Sequence, residues 1–259
     1  MARSSHLPFG TARRRWRLVP GGRGAERTLY VIPARNEEAT LGGLLERMAA
    51  LGHAPVLVVS DASEDDTAAV ARRHGAMVLD LPLQLGAWGA TQAGLRFARR
   101  LGFRQVVTLD ADGQHEPDCI PELMRARHAT GADIVIGAHP QRLSRARKLA
   151  WRWFRLLSGL RVEDLTSGFR CYDARAIDLL SGPAATLLDY QDVGVLLLAR
   201  RHGLRVTEIP VRMHPRGNGR SRVFYSWPTV AMYMFQTTLL CIARIGRFGG
   251  RQSLLEAEV

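Results

Sequence analysis

Two acids one residue apart, Asp110 and Asp112, with Gln114 two positions further on, directly follow the short apolar run Val106–Leu109. Oxygen ligands in this spacing suit a hard divalent cation, Mg²⁺ or Mn²⁺. Such an ion needs only one or two protein carboxylates when substrate phosphates complete its shell. A cation held there would neutralise charge developing on a departing diphosphate. The competing reading of Asp110-Ala111-Asp112-Gly113-Gln114 is a turn capped by two Asp side chains. Its place straight after an apolar run favours chemistry, because carboxylates there project from the end of a strand.

Other polar clusters have the types that such chemistry needs. Asp61 ends the run Val58-Val59-Ser60-Asp61, and its carboxylate can accept the imino N–H of a uracil or guanine base. Ser63 is expected to cap the helix that follows, which leaves Asp61 for a ligand. Pro33, Arg35 and Glu37 are placed to frame base and ribose. Gly86-Ala87-Trp88-Gly89 lets backbone approach a ligand where a helix N-terminus favours anions. The loop Arg216-Gly217-Asn218-Gly219-Arg220-Ser221-Arg222 combines three guanidinium groups with a hydroxyl and can close over a phosphate. Asp192 stands just before an expected helix, where an acid is favoured by the helix dipole.

These residues need elements to bring them together. Leu29–Ile32, Val56–Val59, Met77–Leu81, Val106–Leu109 and Ile134–Ile136 read as strands. Ala39–Leu51, a stretch from Ser63 to Gly75, Gly89–Leu101 and Ile120–Ala129 have helical spacing between them. Short strands alternating with helices predict an α/β fold with a mostly parallel sheet flanked by helices. Ligands of such sheets gather at the carboxyl ends of the strands. Pro33–Glu37, Ser60-Asp61 and Asp110–Asp112 all stand at those ends, so three clusters are expected on one rim. The second half is less regular: a basic and aromatic helix over Ser144–Ser158, the segment Thr166–Asp173, a helix over Asp192–His202 and a strand over Arg205–Val211.

The 259 residues are 46% hydrophobic and carry a formal net charge of +12, with Lys148 the only lysine. A predominantly Arg charge implies anionic partners such as nucleotides, anionic membrane surfaces or nucleic acid. No helix-turn-helix, zinc pattern or aromatic ribonucleoprotein motif supports specific nucleic-acid binding. The cysteines Cys119, Cys171 and Cys241 form no CxxC pair, which argues against a disulfide framework and fits a reducing cytoplasm. Three regions are expected: a basic, disordered tail over 1–27, one catalytic domain over 28–224, and an interfacial helix and tail over 225–259. Val223–Ala243 has no charged residue. Pro228, Gln236, Thr237 and Thr238 make it a poor membrane span, whereas Tyr225, Trp227 and Tyr233 suit a helix lying in the interface. A cytoplasmic protein held peripherally on the inner membrane face is the expected setting.

In their order, Val31–Glu37, Ser60–Ser63, Gly86–Gly94, Asp110–Asp112, Thr166-Ser167-Gly168-Phe169-Arg170 and Glu208–Val211 leading to Arg216–Arg222 resemble the family 2 glycosyltransferases. Within these, the chain is most similar to the dolichol-phosphate mannosyltransferase-like group. The resemblance runs from Thr28 to about Phe224 and implies a GT-A fold, with its Rossmann-like sheet. It also implies a nucleotide-diphosphate sugar donor (GDP-mannose or UDP-glucose), Mg²⁺ or Mn²⁺, inversion at the anomeric carbon and a polyprenyl-phosphate lipid acceptor. It assigns Pro33, Arg35, Glu37, Asp61 and Asp110 to the donor nucleotide, and Asp110, Asp112 and Gln114 to the metal. Asp112 and Asp192 become the catalytic candidates, Asp192 as the base that a hydroxyl acceptor would require, and Arg170, Arg216, Ser221 and Arg222 the acceptor or phosphate contacts. The chain departs from the family pattern at Ser60, Arg35, Gly137-Ala138-His139 and Ser221-Arg222. A transferase acting on a hydroxyl of a glycan or glycolipid is the alternative reading.

Overall fold

The computed structural model describes residues 27–139, 152–156, 159–160, 162–186, 193–214, 235 and 238. Its first half runs β1 (Thr28–Ala34), α1 (Glu38–Ala50), β2 (Val56–Asp61), α2 (Thr67–Arg73), β3 (Met77–Leu81), α3 (Gly86–Arg100), β4 (Gln105–Thr108), α4 (Ile120–Thr130) and β5 (Ile134–Ala138). Then come β6 (Arg170–Tyr172), α5 (Ala174–Leu180), α6 (Pro183–Thr186), α7 (Val193–Arg201) and β7 (Val206–Pro210). The strands form one seven-stranded sheet in the order β3-β2-β1-β4-β6-β5-β7. β6 is antiparallel to both of its neighbours, and every other pairing is parallel. A mostly parallel α/β sheet is thus observed as expected.

Helices cover both faces, which is why the strands read as near-continuous apolar runs rather than as an alternation. β1 shows how one strand feeds two cores. Leu29 and Val31 pack with α3, α5 and α7, whereas Tyr30, Ile32 and Ala34 pack with α1, α2 and α4. α1 contributes Leu41, Leu44, Leu45 and Met48, one stripe at helical spacing. α3 lies so close to β1 that a Cβ on Gly94 would overlap Val31 Cγ1.

The strand order reverses between β1 and β4. That switch point opens a crevice at the carboxyl ends of the two strands, where doubly wound sheets take their ligands. The residues after β1 and β4 are Arg35–Glu37 and Leu109–Gln114.

Two local expectations are corrected. α2 starts at Thr67 rather than at a Ser63 cap, and Asp65 Oδ1 accepts from the Thr67 amide at 2.9 Å. Ser63 Oγ instead accepts the amide of Asn36 at 3.2 Å. α3 begins at Gly86, a turn before Gly89, because an acid distant in sequence caps it. β6 and α5 carry no periodic signal of their own; β6 is a three-residue strand, Arg-Cys-Tyr, with an arginine in the middle of the sheet. The expected tail over 1–27 (apart from Arg27), the loop 215–222 and the uncharged stretch 223–243 (apart from Phe235 and Thr238) lie outside the described residues. Of the expected helix 144–158, residues 152–156 are described and helical.

Candidate active site

Four loops meet at the crevice, and hydrogen bonds lace them together. Asn36, after β1, adopts a left-handed backbone (φ 52°), as does Ala62 after β2 (φ 50°). Asn tolerates this conformation, whereas for Ala it is strained, and such strain concentrates at functional sites. The Asn36 side chain accepts the Glu64 amide at 2.8 Å. The Glu37 amide donates to Thr67 Oγ1 at 2.8 Å, and the Glu38 amide to Asp65 at 3.1 Å. Partial burial pushes the Asp65 carboxyl up, but its bonds from Thr67 and Glu38 outweigh this and hold it below the ordinary value.

Asp61 is buried at the end of β2. One carboxylate oxygen accepts the Leu85 amide at 2.6 Å and the other the Gly86 amide at 2.9 Å. Asp61 is therefore the cap of α3, a helix more than twenty residues away. Reasoning from the adjacent helix alone, in which Ser63 made an Asp61 cap unnecessary, missed this. Capping anchors the first turn of α3 beside the crevice and fixes the carboxylate. Each carboxylate oxygen has two lone pairs, so capacity remains for a ligand N–H.

The turn after β4 holds the paired acids. The Asp110 amide donates to His115 Nδ1 at 3.0 Å, while its carboxylate stays 39% exposed. Asp112 Oδ1 accepts the Gln114 amide at 3.1 Å, so the turn reading of the motif holds for Asp112. Gln114 is buried. Among the described residues no three His, Cys, Asp or Glu side chains gather to hold a cation. Asp110 and Asp112 carry carboxylate oxygens and Gln114 an amide oxygen, the donor type that a hard divalent cation takes.

Arg170 has a different task from the phosphate contact expected of it. It is fully buried, and its guanidinium donates to the carbonyls of Ser167 and Leu165, each at 2.8 Å. It shapes the loop before β6 from inside. Pro33 pairs with Val59 within the sheet, and Glu37 flanks the N-terminus of α1, where its carboxylate accepts from Thr40 at 2.9 Å. Arg35 is half-buried on the same loop. Asp192, Arg216, Ser221 and Arg222 lie outside the described residues.

Sequence reasoning missed His115, whose side chain is 1% exposed and stacks on Phe169 with centroids 5.2 Å apart. Its position right after Gln114 was the available signal. A cleft of about 630 Å³ adjoins the same turn, lined by Thr40 and Arg47 of α1, by His115 and Glu116, and by Arg212 and His214. The Arg47–Asp118 pair at its edge is 2.6 Å long but exposed on both sides, so it contributes little stability.

Residues 30–178 match the family described as Glycosyl transferase family 2. The chain is a family 2 glycosyltransferase. The match begins within β1 and ends within α5, so it takes in every motif from Pro33 to Arg170. This glycosyltransferase is 33% identical over 219 residues to the undecaprenyl-phosphate mannosyltransferase of Micrococcus luteus, covering 76% of this chain and 87% of that one. It is 29% identical over 232 residues to the polyprenol monophosphomannose synthase of Mycolicibacterium smegmatis, covering 82% and 86%. Its fold is similar to that of glucosyl-3-phosphoglycerate synthase from Mycobacterium tuberculosis, crystallised with Mn²⁺, uridine diphosphate and glucosyl-3-phosphoglycerate. That likeness has a TM-score of 0.61 at 22% identity, over 86% of this glycosyltransferase and 81% of the solved chain.

Proposed function

We propose that this glycosyltransferase moves a hexose from a nucleoside-diphosphate sugar to the phosphate of a polyprenyl lipid, with inversion and with Mg²⁺ or Mn²⁺ bound. The observation that carries the reading is the pairing at the crevice of an exposed Asp110 carboxylate, on a locked backbone, with the Asp61-anchored start of α3. The names of both curated relatives, matched over most of their length, support the lipid-phosphate acceptor.

Asp61 is assigned to the base, with Pro33, Arg35 and Glu37 around base and ribose. Asp110, Asp112 and Gln114 would hold a divalent cation, which would supply charge neutralisation for the departing diphosphate. Mn²⁺ and uridine diphosphate in a protein of like fold support that choice of ion. The first turn of α3 offers backbone amides to phosphate oxygens. A phosphate monoester has its second pKa near ~6, so at neutral pH the acceptor is already a dianionic nucleophile and needs no base. Asp192 would take a proton only from a hydroxyl acceptor. Arg216, Ser221 and Arg222 are assigned to the acceptor phosphate.

The test is transfer from radiolabelled GDP-mannose or UDP-glucose to undecaprenyl phosphate with Mn²⁺. The expected product is an organic-soluble, mild-acid-labile sugar lipid, reduced at least about a hundredfold by Asp112→Ala and little changed by Asp192→Asn. Absence of lipid product with either donor, or an Asp192→Asn protein without activity, would overturn the lipid-phosphate reading.

A further inference from the structure

We propose that Gly168 and His115 are positioning residues that clamp Asp110, one by space and the other by an acceptor, so that its carboxylate stands ready for the cation. The proposal rests on the reading of Asp110 as a metal and diphosphate ligand. Gly168 lies directly under the carboxylate. A Cβ at this position would overlap Asp110 Oδ1 and stand 2.8 Å from both Cγ and Oδ2. The Gly168 backbone is outside the left-handed region, so alanine meets no conformational objection there, and the requirement for glycine is one of room.

The floor cannot easily retreat. The Gly168 carbonyl accepts from Thr108 Oγ1 at 2.6 Å, and Ser167 Oγ donates to the Gly137 carbonyl at 2.6 Å. The buried Arg170 guanidinium holds the Ser167 and Leu165 carbonyls from within. These bonds are buried, so breaking them to admit a methyl group is unfavourable. The side chain displaced by the methyl is therefore Asp110. This gives Thr166–Arg170 a role that differs from contact with a phosphate: it is the floor of the metal site.

His115 sets the other coordinate. A backbone amide can only donate, so the 3.0 Å contact from Asp110 makes Nδ1 the acceptor and leaves the ring proton on Nε2, which lies 3.8 Å from Asp110 Oδ2. The ring is held by its stack on Phe169, and the backbone of His115 bridges to Met213. Such supporting contacts behind a metal ligand typically alter affinity by about 10- to 100-fold.

The experiment measures Mn²⁺ affinity of the full chain by the electron paramagnetic resonance signal of free Mn²⁺, with GDP or UDP present, alongside melting temperature. Gly168→Ala is expected to weaken Mn²⁺ binding about tenfold or more and to lower the melting temperature. In an Asp110→Ala background the methyl group has room, so Gly168→Ala should no longer lower the melting temperature. A merely structural glycine would be destabilising in both backgrounds. His115→Phe keeps the stack but removes the acceptor and should weaken Mn²⁺ binding, while His115→Asn, whose Oδ1 can replace Nδ1, should restore most of it. Wild-type affinity in Gly168→Ala, or equal loss of stability with and without Asp110, overturns the clamp. Asp112→Ala is the control for the underlying reading. If it binds Mn²⁺ as tightly as wild type, the metal assignment fails even where the melting temperatures behave as stated, and the clamp loses its purpose with it.

Discussion

Asp61 accepts the amides that begin α3 and is also the residue assigned to the donor base. Both tasks use a carboxylate fixed at the end of a buried strand. Asp61→Asn keeps the size but turns one oxygen into an amino group facing a backbone N–H. Leaving such a donor unmet costs about 1–3 kcal/mol. The variant is expected to melt at a lower temperature and to bind nucleoside diphosphate more weakly, since its amino group cannot accept a base N–H. Calorimetric titration and a melting curve read the two effects separately. Unchanged nucleotide affinity in a destabilised protein would confine Asp61 to the cap. The acid itself was legible from its place after an apolar run; its partners were not, because Leu85 and Gly86 reach it only through the β2–β3–α3 crossover.

Helix α5 has a cap with an electrostatic cost. Asp173 accepts the Ala176 amide at 2.8 Å and neighbours Asp133, a buried acid that accepts from the Arg205 amide at 2.6 Å and from Arg175 at 2.9 Å. Burial first, and then the charge of Asp133, outweigh the Ala176 hydrogen bond and raise the Asp173 carboxyl above its ordinary 3.8. The folded chain consequently holds a proton that the unfolded chain has released, in the window between 3.8 and the raised value. Stability falls as pH rises through that window, and the penalty persists above it. Asp173→Asn preserves the cap and removes the charge. It should therefore melt higher than wild type at neutral pH, with the gap closing as pH falls to about 4. A pH-independent gap would assign the effect to packing instead. None of this was readable beforehand: α5 is short, and Asp133 and Asp173 meet only because β5 and β6 are paired.

For the whole molecule the governing quantity is the net charge of +12. No helix among the described residues is long and apolar enough to cross a membrane. The helical stretch 152–156 exposes Trp153 (47%) and Leu156 (79%) beside Arg152 and Arg155, a pairing of apolar and basic groups suited to a lipid surface. Peripheral attachment to anionic membrane is our proposal for the intact protein. Sedimentation with vesicles containing phosphatidylglycerol should capture it at low salt, at about 1 kcal/mol per basic residue near the surface. Capture should weaken as salt shortens the screening length. Equal capture by neutral phosphatidylcholine vesicles would rule out the electrostatic part.

The strand–helix alternation, the mostly parallel sheet and the convergence of Pro33–Glu37, Asp61 and Asp110–Asp112 on one rim were all written in the chain, because strands buried on both faces announce themselves as apolar runs and the residues that follow them stand at their carboxyl ends. Tertiary structure alone decided that Arg170 lies beneath the site and not in it, that Asp61 caps α3, and that Gly168 and His115 bracket Asp110. The physical reason is range. Periodicity and local motifs report on neighbours within a turn or a strand, whereas the antiparallel insertion of β6 between β4 and β5 brings Gly168 against Asp110 across nearly sixty residues of chain.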